Sequence, residues 1–217
     1  MNTKYPRTYH LPFSPEVHSD DKVLHDISNF IGKDIIITEK ADGGNTCLSQ
    51  EGVFARSHGQ QTDCPTFDYI KNIHYFSKKH MMNHEYKYYG ENLYAIHSIV
   101  YTNLKDYFYL FGISDKEKFL SYFDMVKEAT RMGFKSVPVV FRGIFETEKK
   151  LKDFLDDEIK KDSYWGGERE GFVIRTPNEF PIEDFSENVV KYVRKGHVQS
   201  DKHWKENWKK QELNKSI

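Results

Sequence analysis

The sequence predicts an α+β fold, built mainly of antiparallel sheet with helices packed around it. Short apolar runs such as Ile35-Ile36-Ile37 indicate buried strands, whereas residues 67–82 and 146–160 have apolar residues at helical spacing. The two kinds of segment alternate without the regular strand–helix period of a doubly wound sheet. The turn Gln50-Glu51-Gly52 between two strand-like segments predicts a hairpin, the connection typical of antiparallel strands.

The elements follow in chain order. The opening segment, residues 1–19, contains Pro6, Pro12 and Pro15, and we expect it to lie extended over the surface. A helix is predicted to begin at Ser19 and to end at Gly32. The remaining predictions are strands at 35–38, 45–49 and 53–57, a helix at 67–82, strands at 86–93 and 107–113, a helix at 115–131, a strand at 137–140, a helix at 146–160, strands at 171–175 and 189–194, and a terminal helix within 200–217.

Composition restricts the classes of function. The chain has 217 residues, enough for a single domain with a proper core. With 32 basic and 33 acidic residues, the net charge of −1 excludes a general electrostatic attraction to nucleic acid, so that any such surface has to be a local patch. No apolar stretch reaches the length of a membrane span, and Cys47 and Cys64 form no disulfide framework. We therefore expect a cytoplasmic monomer.

The most informative residue is Lys40, which the pattern places in a loop between two strands. It is followed by Asp42, Gly43 and Gly44, and Asp-Gly is also a common pair in surface turns. A lysine in this setting has a second use, because its amine can attack a phosphorus if the glycines let the backbone approach a phosphate. The motif alone does not decide between a turn and a nucleophile.

Four further segments each place charged side chains at or near a predicted strand end. In chain order the set is Glu39-Lys40-Ala41-Asp42-Gly43-Gly44-Asn45, Phe54-Ala55-Arg56-Ser57, Gly90-Glu91-Asn92-Leu93, Glu170-Gly171-Phe172-Val173-Ile174-Arg175 and Val190-Lys191-Tyr192-Val193-Arg194. In this order the segments resemble the motifs of the covalent nucleotidyltransferase superfamily, which comprises DNA ligases, RNA ligases and mRNA capping enzymes. The residues of these motifs, together with the opening Lys4-Tyr5-Pro6-Arg7-Thr8, are similar to those of the ATP-dependent RNA ligase branch.

The resemblance implies a nucleotidyltransferase domain in which Lys40 takes AMP from ATP. A free lysine is mostly protonated at neutral pH, and neighbouring cations such as Lys191 and a bound Mg²⁺ would disfavour its charged form. The charge that develops on the phosphates calls for cations, for which Arg56, Lys191 and either Arg175 or Arg194 are the candidates. The motif residues Asp42, Gly43 and Asn45 belong to the same nucleotide site.

The other roles implied by the resemblance concern the metal and the base. Glu170 resembles the acid that holds a divalent cation, Mg²⁺ or Mn²⁺, through water, and Glu91 resembles the acid that contacts the ribose or the metal-bound waters. Phe111 resembles the ring that stacks on the purine. Glu39 is expected to read the adenine edge or the neighbouring backbone. The expected partners are RNA ends, a 5′-phosphate and a 3′-hydroxyl.

Two departures from the family pattern stand out. The last family motif is often Lys-X-Lys, whereas this chain has Lys191-Tyr192-Val193, so that Arg194 and Lys195 are both open as the second cation. Family enzymes often carry an additional OB-fold, and the twenty residues after His197 are too few for its five strands, so none is expected here.

Several alternatives stay open. The same fold could serve a minimal DNA ligase, or a nucleotide- or RNA-binding module without turnover. His74, His80 and His84 with Cys64 raise a zinc hypothesis, although their spacing matches no zinc-finger pattern. In the predicted terminal helix, Trp204 and Trp208 lie one turn apart among lysines, which fits either docking on the domain or an RNA contact.

Overall fold

A computed structural model describes residues 4–56, 61–197 and 208–214. The strands are Tyr9–His10 (β1), Asp34–Lys40 (β2), Gly44–Ser49 (β3), Gly52–Ala55 (β4), Lys87–Asn92 (β5), Phe108–Ser114 (β6), Lys118–Phe119 (β7), Lys135–Ser136 (β8), Val139–Ile144 (β9), Gly171–Arg175 (β10), Phe180–Pro181 (β11) and Val189–Val193 (β12). The α-helices are Asp68–Ile73 (α1), Tyr122–Met132 (α2), Glu148–Glu158 (α3) and Phe185–Asn188 (α4).

The strands form two mainly antiparallel sheets. Sheet I has the order β1-β12-β10-β2-β9, and sheet II has the order β11-β7-β6-β5-β3-β4, with β8 paired to β6. The chain passes from sheet I to sheet II between β2 and β3, and Lys40 is the last residue of β2 rather than part of a loop. The α+β prediction is confirmed, and Lys40 stands where the two sheets meet.

Helices cover the outer faces of both sheets. Leu151 and Leu155 of α3 pack with Ile35 and Ile37 of β2. On sheet II, Met125 of α2 belongs to the cluster formed by Leu48, Tyr88 and Leu110. Because side chains alternate along a strand, the residues between these positions project from the opposite faces. Thr38 and Lys40 therefore face away from α3, and Asn45, Glu91 and Phe111 face away from α2.

The helix predicted from Ser19 to Gly32 is wrong, apart from a 3₁₀ turn at Ser28–Phe30. The backbone instead pairs with the N-terminal segment, since His10 N donates to Lys22 O at 2.8 Å and Leu24 N donates to His10 O at 2.9 Å. The apolar spacing still serves the core, because Ile27 and Phe30 are buried. The N-terminal segment itself is more than a surface strap, as β1 pairs in parallel with β12.

Two other helix predictions need correction. The helix expected at 115–131 begins only after Ser121, whose hydroxyl caps Asp124 N at 3.1 Å; the carboxylate of Asp115 instead accepts from Glu117 N and Lys118 N in the turn before β7. The terminal helix expected within 200–217 is absent from residues 208–214, which form isolated bridges at Lys210 and Leu213. Trp204 lies outside the described residues, and Trp208 packs 5.8 Å from Tyr94.

The remaining helix and strand predictions agree with the structure to within a few residues. The helix expected at 67–82 is one helical run, in which a 3₁₀ turn at Pro65–Phe67 leads into α1, followed by a π-helical turn at His74–Lys78 and a 3₁₀ turn at Lys79–Met81. Among the described residues, none of the helices combines the length and apolar character that a bilayer crossing needs.

Candidate active site

A cleft of about 630 Å³ opens between the two sheets. This volume falls within the range of about 300–1,000 Å³ that is typical of small-molecule sites. The candidate residues that line it are Glu39, Lys40, Asp42, Gly43, Asn45, Arg56, Glu91, Phe111, Glu170, Arg175 and Lys191. The fold thus brings to one cleft the residues that the sequence singled out across more than 150 positions.

The centre of the cleft is an ion pair between Lys40 and Glu170. Lys40 Nζ lies 2.5 Å from Glu170 Oε1, and the Glu170 side chain is fully buried. Strand register explains the contact, because Gly171 pairs with Lys40 across β10 and β2 and Glu170 is its neighbour. A side chain at Gly171 would collide with Tyr192 O, 2.1 Å from an added Cβ, so only glycine allows β12 to pack this closely.

Lys40 is held in its charged form. Burial alone would lower the pKa of Lys40, but the carboxylates of Glu170, Glu91 and Asp42 outweigh it and raise that pKa above its usual value. The sequence-based expectation was the reverse, since it relied on neighbouring cations. The three carboxylates dominate over the cation Lys191, so the amine has to lose a proton before it can act as a nucleophile.

The positive charge of Lys191 is balanced by the carboxylate of Asp21. Lys191 Nζ lies 3.1 Å from Asp21 Oδ1, and the other oxygen of Asp21 lies 3.1 Å from His10 Nε2. Burial lowers the pKa of Lys191, opposed by Asp21 and assisted by the charge of Lys40. The same burial, with Lys191 beside it, lowers the pKa of His10 to about 4, so His10 is neutral at pH 7.

Glu91 is the carboxyl group with the strongest upward shift in the cleft. Burial raises its pKa to about 8, opposed by Lys40 and reinforced by the negative charges of Glu170 and Asp42. Three carboxyl groups therefore share one region of low dielectric, which disfavours a state in which all three are charged. Such crowding is typical of a site that takes up positive charge.

His197 contacts the carboxylates of both Asp42 and Glu170. Asp42 Oδ2 accepts hydrogen bonds from Ser98 N at 2.8 Å, Ser98 Oγ at 2.7 Å and Ile99 N at 2.7 Å. His197 Nε2 lies 3.6 Å from Asp42 Oδ1 and 3.3 Å from Glu170 Oε1. Burial would lower the pKa of His197, but its two carboxylate partners raise it to about 9. His197 is thus a buried imidazolium that bridges Asp42 and Glu170.

Arg175 and Arg56 differ in how firmly the structure holds their guanidinium groups. The Arg175 guanidinium is buried and donates to Leu120 O at 2.9 Å and Thr176 O at 3.1 Å, which fixes it in the wall of the cleft. Arg56 is exposed at the cleft rim, where its backbone N–H donates to Asn45 O. Arg175 can therefore act only from a fixed position, whereas Arg56 has room to follow a bound anion.

Phe111 forms part of an aromatic wall. Its ring centroid lies 5.0 Å from that of Tyr5, and Tyr5 also contacts Tyr89, Phe119 and Phe185. Tyr5 thereby fixes the N-terminal segment against sheet II beside the cleft. A half-buried ring held in this way offers a flat surface to a purine.

Two candidate residues are placed differently from what the sequence indicated. Glu39 projects from the opposite face of β2 to Lys40, where its carboxylate accepts from Tyr164 N at 2.9 Å and lies 3.7 Å from Arg169 Nε. Its side chain is therefore not directed at a base in the cleft. Gly43 is required for packing, because an added Cβ would lie 2.6 Å from both Asn92 O and Leu93 Cδ2.

Neither candidate for the second cation lines the cleft. Arg194 Nη2 pairs with Glu168 Oε2 at 2.7 Å, and Lys195 is exposed.

The zinc hypothesis also has no support in the described part of the chain. His74 Nε2 bonds to Ser49 O at 2.7 Å, and the sole group with metal-ligand spacing found there consists of Asp42, Glu170 and His197.

The carboxylates fit a divalent cation. Mg²⁺ and Mn²⁺ prefer oxygen ligands and usually keep several waters, so Glu91 and Glu170 at the cleft floor are sufficient protein ligands. Asp42 is less available, because one of its oxygens already accepts three hydrogen bonds. His197 is protonated and held by carboxylates, which favours its role as a cation over a role as a metal ligand.

Sequence reasoning missed His197, Tyr5 and Asp21 as parts of the site. Tyr5 lies in the opening stretch that carries the family resemblance, and this was the one available signal. Neither Asp21 nor His197 has a distinguishing local pattern, since both become meaningful only through contacts with residues more than 20 positions away.

Known proteins match this chain at the level of family and fold. The family model described as RNA ligase matches residues 33–193. An archaeal ATP-dependent RNA ligase superposes with a TM-score of 0.57 at 16% identity, covering 88% of this chain and 48% of that one. An Aquifex aeolicus protein assigned as an ATP-dependent DNA ligase gives a TM-score of 0.55 at 17% identity, covering 88% and 49%.

A Naegleria gruberi RNA ligase mutant with ATP and Mn gives a TM-score of 0.54 at 17% identity, covering 78% of this chain and 52% of that one. The chain spans about half the length of these solved proteins. A comparison with curated proteins found no match. The family model covers well over half of the chain, including Lys40, Glu91, Glu170 and Lys191. The chain therefore belongs to the RNA ligase family.

Proposed function

We propose that this protein is an ATP-dependent RNA ligase that acts through a covalent lysyl-AMP. The observation that carries the proposal is the placement of Lys40, whose amine lies at a cleft floor beside Glu170, with Lys191 and Arg175 in the same walls. A lysine so placed can reach the phosphate of a nucleotide that occupies the cleft. The archaeal and Naegleria neighbours are RNA ligases, which supports the choice of reaction.

The proposed reaction has three steps. Lys40 Nζ loses a proton and forms a bond to the α-phosphorus of ATP, while the bond to the β-phosphate oxygen breaks and pyrophosphate leaves. An oxygen of the RNA 5′-phosphate then attacks the AMP phosphorus, and the P–N bond returns its electrons to Lys40. Finally the 3′-hydroxyl attacks the activated 5′-phosphate, loses its proton and releases AMP.

The residues of the cleft have distinct tasks in these steps. Lys191, Arg175 and Arg56 supply positive charge to the phosphates, and Phe111 offers its ring to the adenine. Glu170 orients Lys40 and, being nearest, can take up its proton. Glu91 and Glu170 would hold the divalent cation, Mg²⁺ or Mn²⁺, which when bound supplies charge to the phosphates and lowers the pKa of Lys40.

Incubation with α-labelled ATP and a divalent ion, followed by a denaturing gel, tests the proposal. We expect label to remain on the wild type and to be absent from Lys40→Ala. Lys33→Ala is a matched control, because Lys33 is exposed outside the cleft, where its Nζ donates to Asn29 Oδ1 at 2.8 Å. Failure of the wild type to take up label would support a nucleotide- or RNA-binding module instead.

A DNA ligase of the same fold is the second candidate, favoured by the similarity to the Aquifex protein. Sealing of matched nicks separates the two activities. We expect sealing when the strand that carries the 3′-hydroxyl is RNA and little sealing when it is DNA. Equal or faster sealing of an all-DNA nick would favour the DNA ligase.

A further inference from the structure

Two neighbouring aromatic side chains are exposed on the helical run that follows β4. Tyr75 is 69% exposed and Phe76 is 74% exposed, and their rings meet edge to face with centroids 5.0 Å apart. Most large aromatic residues of the described chain are buried in the clusters around the sheets. A contiguous exposed pair, which we term the 75/76 pair, is therefore typical of a binding surface.

The stretch of sequence that carries the 75/76 pair has basic residues and no acidic ones. From Tyr69 to His84 the sequence has no Asp or Glu, in a chain whose overall net charge is −1. Lys79 and His80 are exposed directly beside the pair, and His84 is exposed a little further along. The basic residues of this stretch are Lys71, His74, Lys78, Lys79, His80 and His84. Exposed rings with basic neighbours are complementary to the bases and phosphates of a nucleic acid strand.

The turn that carries the pair is fixed to sheet II. The His74 ring is buried and bonds to Ser49 O at 2.7 Å, at the end of β3. Gln50 Nε2 donates to Lys79 O at 3.2 Å and to Met82 O at 2.8 Å. The two rings are thus presented by anchored backbone, which lowers the entropy cost of binding a strand.

The same helical run begins at the cleft. Phe67 lines the cleft, and Tyr75 follows it by eight residues, which corresponds to about 12 Å along a helix axis. A strand whose end occupies the cleft can therefore continue towards the pair over a few nucleotides.

We propose that Tyr75 and Phe76 form a stacking platform for unpaired bases of the RNA substrate, with Lys79 and His80 beside the backbone phosphates. The inference rests on the proposed function, because it assumes that the strand bound at the cleft is RNA. Recognition by aromatic stacking requires unpaired bases and tolerates any sequence. The substrate class is accordingly RNA with a single-stranded segment near the end that is joined.

Ring-preserving and ring-removing variants test the platform. Anisotropy of a labelled, 5′-phosphorylated single-stranded RNA of about 12 nucleotides, without ATP, reports binding alone. We expect the Tyr75→Leu, Phe76→Leu double variant to bind at least about tenfold more weakly than the wild type, because it removes both rings on which bases would stack. The Tyr75→Phe, Phe76→Tyr double variant keeps both rings and should bind like the wild type.

Phe123→Leu is a matched control. Phe123, on α2, is a 47% exposed ring that also has a basic neighbour, the guanidinium of Arg142. This substitution should leave RNA binding unchanged. Autoadenylylation by each double variant should equal that of the wild type, so a platform that fails leaves the proposed function intact. Conversely, a wild type that binds RNA through the pair but takes up no AMP would overturn the ligase and not the platform.

Three results would overturn the platform. The first is wild-type RNA affinity in the double Leu variant, and the second is equal loss in the ring-preserving variant. The third is a concentration-dependent dimer of the wild type, seen by sedimentation, that the double Leu variant no longer forms while it binds RNA normally. That result would assign the pair to contact between copies of this chain.

Discussion

The Glu170 carboxylate lies between two cations, because Lys40 Nζ is 2.5 Å and His197 Nε2 is 3.3 Å from the same oxygen, Oε1. A fully buried carboxylate is costly unless it is paired, and removal of one partner leaves an uncompensated charge. Glu170 therefore has a structural task as well as a chemical one. A substitution that tests its chemistry has to keep the shape of the side chain.

Glu170→Gln keeps this shape and removes the negative charge. We expect the rate of lysine adenylylation to fall by at least about 100-fold, because the variant loses both the proton acceptor for Lys40 and a metal ligand. Glu170→Ala should reduce the rate similarly while it also leaves Lys40 and His197 without their partner. The rate of label uptake and the thermal unfolding midpoint, measured together, check the prediction; a Gln variant that reacts at the wild-type rate would contradict the assigned role.

His197 makes stability depend on pH in a definite direction. Its pKa is raised from 6.5 to about 9 by Asp42 and Glu170, so between these values the folded state holds a proton that the unfolded state lacks. The stability that His197 contributes is therefore full below pH 6.5 and falls as pH rises towards 9, by at most about 1.4 kcal/mol per pH unit. Glu91, with a pKa raised from 4.5 to about 8, adds a decrease of the same sign at lower pH.

Urea unfolding at pH 6.5 and pH 9 measures this effect. The decrease in the free energy of unfolding should be smaller in His197→Gln than in the wild type. His25→Gln is a suitable control because it makes the same substitution at an exposed histidine. An identical pH slope in the wild type and in His197→Gln would show that the histidine is not a folded-state cation.

Residues differ in how far the sequence reveals their place. Lys40, Glu91 and Lys191 were found because each belongs to a short motif at a strand end. Glu39 shares the motif of Lys40, yet the alternation of side chains along β2 sends it to the opposite face. His197 and Asp21 act through contacts with residues distant in the sequence, which no local pattern encodes.

At the scale of elements, the segment 208–214 is tied to the loop that supports Asp42. Gln211 is buried, accepts from Tyr101 N at 3.1 Å and donates to Ile99 O at 2.7 Å. Ile99 and Ser98 in turn donate to Asp42. The segment replaces the predicted helix because its backbone finds partners in the loop, with Gln211 N donating to Tyr94 O at 2.9 Å. Propensity alone cannot anticipate such tertiary pairing.

Gln211→Ala tests this link. The substitution leaves Tyr101 N and Ile99 O unpaired in a buried site, so we expect a loss of about 2–4 kcal/mol in the free energy of unfolding. Adenylylation should also slow, because Asp42 loses the fixed position of its donors. Glu212→Ala, at an exposed neighbour, should cost less than about 0.5 kcal/mol. Equal stability of the two variants by urea unfolding would show that the segment does not secure the loop.

At the scale of the whole molecule, the cleft depends on the joining of two sheets. Sheet I contributes Lys40, Arg175 and Lys191, and sheet II contributes Glu91 and Phe111. The antiparallel character of both sheets was predictable from strand lengths and turns, whereas their relative placement was not. It follows from the short connection after Lys40, where Gly43 packs against Asn92 and Leu93 too closely for any side chain.

A nucleotide that contacts both sheets should stabilise the molecule as one unit. At an ATP concentration about 100 times its Kd, we expect about 2.7 kcal/mol of stabilisation, which corresponds to a rise of about 5–10 °C in Tm. Phe111→Leu on sheet II and Lys191→Gln on sheet I should each weaken binding by about tenfold, and thus each roughly halve the rise at the same ATP concentration. Thermal unfolding of the three proteins with and without ATP measures this. If only one of the two substitutions reduced the rise, ATP would be bound by a single sheet and the cleft between the sheets would not be its site.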